Sequence, residues 1–438
     1  MQHERFHYNT IDDLNQKMSE LGVCLPYSDD VKILFEPFEF YGRMVNNKVV
    51  YQPMEGCDRA EDGSPGELSL RKYKRFAEGG PGTIWFEAVA LVLAGRAQER
   101  QFYMNSKNLD GFKRCVETIK ETCQKTNGFE PLIIMQATHS GRQSRPNGFP
   151  EPVVAYHKDI PGSNTVSNHE RIVSDDELKD LEEIFVRGAD LARSAGFDGY
   201  DVKACHAYLV NELLSAYNRP GEYGGSFENR TRFLRNVIRE LTRTAPKDFI
   251  VSCRLSLYDS AEYPNGFGVG EKTGLEIDLG EPLLLVKLLQ EECGLKILNT
   301  TIGNPYITPH INRPFDKGPY VPDEHPLVGV NRIISCIKTV QERNPMLKVV
   351  STGLSYLRNF SPNVAAGMLR DGCTSLVGFG REALAYPDFL RDLRETGQID
   401  KHKVCLSCSE CAVLLRAGKD TGCFIRDKEI YGGIQKDE

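Results

Sequence analysis

The feature that most constrains the fold of this chain is a repeat of one unit, a short apolar run followed by a helical pattern. Apolar, β-branched runs occur at residues 49–54, 83–91, 132–137, 199–206, 250–257, 296–301, 348–353 and 375–380, eight in all. Residues 174–195 carry the clearest helical pattern. There Ser174 and Glu177 have the spacing of a capping box, and Leu178, Leu181, Ile184 and Phe185 recur with helical period. Further helical patterns cover 109–125, 229–244, 279–293, 330–342, 361–370 and 382–394, whereas 142–171 is a long loop rich in Pro, Gly and Asn. Strands that alternate with helices make a parallel sheet, and eight such units predict an α/β fold closed into a (β/α)8 TIM barrel. An open, doubly wound sheet is the alternative. No Gly-x-Gly-x-x-Gly follows an early strand, so a dinucleotide-binding half is not supported. The expected organisation is an N-terminal extension (1–36), the barrel (37–395) and a cysteine-rich tail (396–438).

Charge and cysteine usage narrow the function. The 54 basic residues against 61 acidic ones give a net charge of −7, with no long run of either sign, which argues against nucleic acid or an anionic membrane as partner. Residues 1–28 are polar, so no secretory leader is expected, and no apolar stretch reaches the roughly 18 residues needed to span a bilayer. Of thirteen cysteines, nine are scattered singly and four fall within residues 405–423. That usage fits a reducing, cytoplasmic setting better than a disulfide framework.

In a barrel the chemistry gathers at the C-terminal ends of the strands. Gly353 and Gly380 follow the seventh and eighth strands, where backbone N–H groups often hold a phosphate, and Arg381 adds a charge-assisted contact. Taken singly, such glycines also serve as plain turn formers. Gln136, on the third strand, has an amide that donates and accepts, as the pyrimidine edge of a flavin requires. Arg254, on the fifth, offers fixed positive charge to the anionic form of a reduced flavin. The fourth strand ends with Lys203, His206 and Tyr208. The first two are suited to polarise a substrate oxygen, and Tyr208 to donate a proton.

Several segments together resemble the old yellow enzyme family of FMN oxidoreductases. They are Asn47-Lys-Val-Val-Tyr-Gln-Pro-Met54, Gln136-x-x-His139-x-Gly-Arg142, Phe197-Asp-Gly199, His206-x-Tyr208-Leu and Tyr223-Gly-Gly-Ser-Phe-Glu-Asn-Arg230-x-Arg232-Phe. The likeness runs from about Phe35 to Arg394. It implies noncovalent FMN and hydride transfer to the β-carbon of an activated alkene. By position, Gln136 and Arg254 would contact the flavin ring, with Pro53, Met54 and Ala88 touching it through backbone. Gly353, Gly380 and Arg381 would hold its phosphate. Tyr208 would be the proton donor, and Lys203 and His206 the carbonyl-binding pair. Lys203 departs from the histidine usual in the family, which opens the site to a carboxylate as well as a carbonyl.

The tail reads Cys405-x-x-Cys408-x-x-Cys411, then eleven residues, then Cys423. Four thiolates suit either zinc or iron. The resemblance extends to members, including 2,4-dienoyl-CoA reductase and 2-enoate reductase, in which a similar motif holds a [4Fe–4S] cluster. The expectation is an ene-reductase acting on an enone or enoate. Because the sequence ends fifteen residues after Cys423, its electrons are expected from a separate donor such as a ferredoxin or reductase subunit. An amine dehydrogenase related to trimethylamine dehydrogenase is the alternative, as is an electron-transfer flavoprotein subunit. The former attaches its flavin through a cysteine where this chain has Glu55. A homo-oligomer is compatible with the sequence.

Overall fold

All eight apolar runs form strands: β1 (Val49–Tyr51), β2 (Thr83–Ala90), β3 (Leu132–Thr138), β4 (Gly199–Ala204), β5 (Ile250–Ser256), β6 (Ile297–Thr301), β7 (Lys348–Val350) and β8 (Val377–Phe379). The computed structural model describes residues 4–158, 170–271 and 275–434. In it the strands are neighbours in the order β7-β6-β5-β4-β3-β2-β1-β8, every pair parallel. A parallel bridge from Val350 to Leu376 joins β7 to the chain entering β8 and closes the ring. There Ser351 N–H donates to the Leu376 carbonyl at 2.9 Å. Closure satisfies the strand edges that an open sheet would expose. Apart from Lys348, every strand residue is buried, as expected where helices cover one face and the barrel interior the other.

The helices of the eight units are α1 (Glu67–Gly79), α2 (Leu109–Asn127), α3 (Asp175–Ser194), α4 (Arg232–Thr244), α5 (Gly280–Glu291), α6 (Pro326–Arg343), α7 (Ser361–Arg370) and α8 (Phe389–Thr396). The capping box of α3 forms: Glu177 N–H donates to Ser174 Oγ at 3.2 Å, and Ser174 N–H to the Glu177 carboxylate at 2.9 Å. Three readings are corrected. Helix α1 fills a unit where none was read, because its buried face carries Ser69 and Lys72 beside Tyr73 and Phe76 and so blurs the apolar period. The run 382–394 is two helices, Arg381–Ala385 and α8. Pro387 separates them, having no N–H and forcing Tyr386 out of helical geometry. The run 229–244 divides at Thr231 into Phe227–Arg230 and α4. Of the loop 142–171, residues 159–169 lie outside the described residues. In the remainder, Val153–Val154 pairs with Arg171–Ile172.

The floor of the barrel is a plug of apolar side chains, among them Val50, Trp85, Ile134, Ile250, Ile297 and Val350. A hairpin of Phe38–Phe40 and Arg43–Val45 caps it with Phe40 and Val45. Above the plug the interior turns polar. Gln52 and Asn299 exchange amide hydrogen bonds of 3.2 and 2.8 Å across the barrel. Gly378 is required beside them, since a Cβ there would lie 2.1 Å from Gln52 Nε2. The closed floor leaves the C-terminal strand ends as the open mouth. Among the described residues no helix is long and apolar enough to cross a membrane.

Candidate active site

A cleft of about 1270 Å³, open solvent included, occupies that mouth. Its lining brings together Pro53, Met54, Gln136, Lys203, His206, Tyr208, Arg254, Gly353, Gly380 and Arg381. Ala88 is the one expected flavin contact that does not line it; Ala88 is buried, and its carbonyl accepts from Gln101 Nε2 at 3.2 Å.

Four arginines, Arg254, Arg313, Arg381 and Arg416, line the cleft, and the first three carry orphaned donors. Arg254 has a buried Nε without a partner, and so does Arg381 at Nη1, although Arg381 Nη2 donates to the Pro314 carbonyl at 2.9 Å. Arg313, which the sequence reading missed, has two such nitrogens, Nε and Nη2. Burial, with Arg381 and Arg416 close by, pushes the Arg313 guanidinium down to about 10. Orphaned, buried, charged donors are costly unless an anion meets them. Among the described residues Glu55 is the one acidic side chain lining the cleft. Gly353 adds a φ of 92° that favours glycine, and a Cβ there would meet Ile333 Cδ1 at 2.7 Å. The donor set therefore fits a phosphate. Toward the ring, Gln136 Nε2 donates to Asp201 at 2.8 Å, which fixes the amide. Burial raises that Asp201 carboxyl above its ordinary range.

At the β4 end, Lys203 is not a free cation. Its Nζ lies 3.0 Å from Glu55 Oε1 and 4.0 Å from the centroid of the Tyr208 ring. Glu55 is held there by its neighbours. Lys72 Nζ donates to the Met54 carbonyl at 3.0 Å and pairs with Glu87, whose Oε2 accepts Gly56 N–H at 2.6 Å. His206 is half-buried, and desolvation, then Arg254 and Lys203, lower its imidazole well below the usual range, which favours the neutral form. His206 and Ala207 both have left-handed backbones, φ 65° and 56°. Such strain costs on the order of 1–3 kcal/mol each and collects at functional sites. Ala207 N–H is fixed by Asn211 Oδ1 at 2.7 Å. The Tyr208 hydroxyl lies 3.2 Å from that of Tyr306, and burial, with Glu55 near, raises Tyr208 well above the ordinary phenol range.

Cys405, Cys408, Cys411 and Cys423 line one smaller cavity beside the cleft, and Cys411 and Arg381 border both. Cys405 N–H donates to Glu382 Oε2 at 2.9 Å, and Arg426 N–H to Cys423 Sγ at 3.3 Å. Thr421 N–H donates to the Gly56 carbonyl at 2.8 Å, which ties this tail to the loop carrying Glu55. Among the described residues no three His, Cys, Asp or Glu side chains are arranged to hold a metal ion.

The family profile described as NADH:flavin oxidoreductase / NADH oxidase matches residues 33–271. An NADH oxidase of Thermoanaerobacter brockii is 25% identical over 86% of this chain and 52% of its own length. A cinnamate reductase of Clostridium sporogenes is 27% identical over 94% and 60%. The chain thus spans a little over half the length of these relatives. An NADPH dehydrogenase of Bacillus subtilis is 31% identical, matching 82% of this chain and 93% of its own. Among solved structures, 2-naphthoyl-CoA reductase aligns with a TM-score of 0.73 at 17% identity over 90% of this chain and 57% of that one. An old yellow enzyme homologue from Zymomonas mobilis aligns at 0.61 and 20% identity over 84% and 94%.

Proposed function

The chain belongs to the NADH:flavin oxidoreductase / NADH oxidase family, that of old yellow enzyme, and we propose that it reduces the C=C bond of an α,β-unsaturated carbonyl or carboxylate. FMN held in the cleft would, when reduced, supply the hydride. The observation that carries the reading is the convergence on one cleft of three orphaned arginines with Tyr208, His206 and Lys203. Arg381, Arg313, Gly353 and Gly380 would hold the FMN phosphate, and Gln136 and Arg254 its ring. Neutral His206 and the paired Lys203 would direct N–H groups at the substrate oxygen, polarising the alkene. Tyr208, kept protonated by burial, would give its proton to the carbon that takes no hydride. The likeness to a cinnamate reductase supports an enoate among the substrates.

The four tail cysteines would hold a [4Fe–4S] cluster. They surround a cavity rather than a point, which suits a cluster better than a single zinc ion. Cys411, on both cavities, would bring the cluster to the flavin's edge. Cys408 and Cys423 are only partly buried, which favours a redox protein such as a ferredoxin or reductase subunit as electron donor. Thirteen unpaired thiols fit a reducing cytoplasm.

The test is FMN-reconstituted protein, reduced with dithionite under anaerobic conditions and mixed with cinnamate or 2-cyclohexenone. Reoxidation of the flavin by either alkene, slowed roughly 100-fold in Tyr208→Phe with flavin reduction unchanged, is the expected result. Failure of both alkenes, and of a wider enone and enoyl-thioester panel, to reoxidise the flavin would refute the reading.

A further inference from the structure

We propose that Tyr306 is the proton inlet of the site, reloading Tyr208 from solvent after each turnover. This rests on Tyr208 as the proton donor. Tyr208 is 2% exposed, so once it has protonated a substrate it meets no bulk water directly. Among the described residues its hydroxyl has one hydrogen-bond partner, the Tyr306 hydroxyl at 3.2 Å. Tyr306 lies on the β6–α6 loop and is 37% exposed at the cleft mouth. Its position is fixed locally: Tyr306 N–H donates to Asn304 Oδ1 at 2.9 Å. The two rings lie side by side, centroids 6.4 Å apart.

The proton balance closes. The Tyr208 O–H bond breaks as a C–H bond forms on the substrate's enolate carbon, leaving a phenolate on Tyr208. The Tyr306 O–H proton passes to that oxygen, and water at the mouth gives a proton to Tyr306, its hydroxide leaving to be neutralised in bulk solvent. The transfer runs downhill, because Tyr208, almost fully buried, is pushed well above the ordinary phenol range, whereas Tyr306 at the mouth is raised less. Lys203 Nζ, 4.0 Å from the Tyr208 ring centroid, stabilises the transient phenolate, and Glu55 tempers that charge.

Single-turnover oxidation of reduced, FMN-loaded enzyme by 2-cyclohexenone would leave Tyr208 charged only once, so steady-state turnover is the sensitive measure. Tyr306→Phe should slow steady-state turnover by about 10-fold to 100-fold. It should raise the solvent deuterium isotope effect, and Tyr306→His should restore part of the rate. The double variant with Tyr208→Phe should be no slower than Tyr208→Phe alone, because the two act in series. Independently of activity, 3-fluorotyrosine at position 208 should change its ¹⁹F shift when Tyr306 becomes Phe. Wild-type turnover in Tyr306→Phe, additive losses in the double variant, or an unmoved ¹⁹F resonance would overturn the relay. The first two outcomes leave ene-reduction itself standing, whereas inactivity of the wild type with every alkene removes both.

Discussion

Glu55 Oε1 sits 3.0 Å from Lys203 Nζ, with the two side chains only 14% and 4% exposed. The cleft's lysine is therefore already neutralised before any substrate arrives. Glu55→Gln should free that charge. The KM for cinnamate should then fall about 10-fold relative to that for neutral 2-cyclohexenone, a gain of ~1.4 kcal/mol. The same change should move the alkaline limb of kcat to lower pH, because the Glu55 carboxylate is one of the groups that raise Tyr208. Paired KM measurements and a pH profile check both; an unmoved ratio would show that Lys203 does not read substrate charge.

Arg313 and Arg381 face the cleft with nitrogens that nothing in the described protein satisfies. Each charge-assisted contact to a phosphate is worth roughly 1.5–3 kcal/mol. Arg313→Met or Arg381→Met should thus weaken FMN binding by about 10-fold to 100-fold, read from the fluorescence of flavin passing an ultrafiltration membrane. Removing an unpaired buried charge should also raise the thermal midpoint of the flavin-free protein. Weaker binding with a more stable apoprotein is a combination that general damage to the fold would not give.

Cys411 borders both the cleft and the cysteine cavity, so losing its thiol should disturb both cofactors. Cys411→Ser, purified without oxygen, should lose most of the about four irons per chain expected of a [4Fe–4S] cluster, together with its acid-labile sulfide. Zinc in stoichiometric amount in the wild type would overturn the cluster assignment.

The strands were legible because burial on both faces writes each as an unbroken apolar run, as in Ile250–Ser256. Helix α1 was hidden because Lys72 occupies its buried face in order to reach Glu87 and the Met54 carbonyl. The side chains on or just beyond the strands were readable for a related reason. Once strand ends are known, the barrel aims Gln136, Lys203, His206 and Arg254 at one mouth. Glu55, Tyr306 and Arg313 were not read as site residues because they sit on loops whose course is set by tertiary contacts, such as the Thr421–Gly56 hydrogen bond. Glu55 alone left a usable signal, standing directly after the flavin-facing Pro53 and Met54.

His139 supplies a prediction about stability rather than catalysis. It is buried, its Nδ1 accepts Gly141 N–H at 3.1 Å, and burial, with Arg171 second, lowers its imidazole to about 4. An unfolded histidine titrates near 6.5. Between those two values the unfolded chain binds a proton that the folded one refuses, so stability is full above about pH 6.5 and is lost as pH falls toward 4. At ~1.4 kcal/mol per pH unit, the loss is of order 3 kcal/mol. His139→Asn keeps an acceptor for Gly141 and removes the titration. Denaturant unfolding at pH 7 and pH 4.5 should therefore show a smaller acid loss in the variant than in the wild type. Equal losses would mean that the imidazole finds water in the fold and that its burial does not govern this part of the acid response.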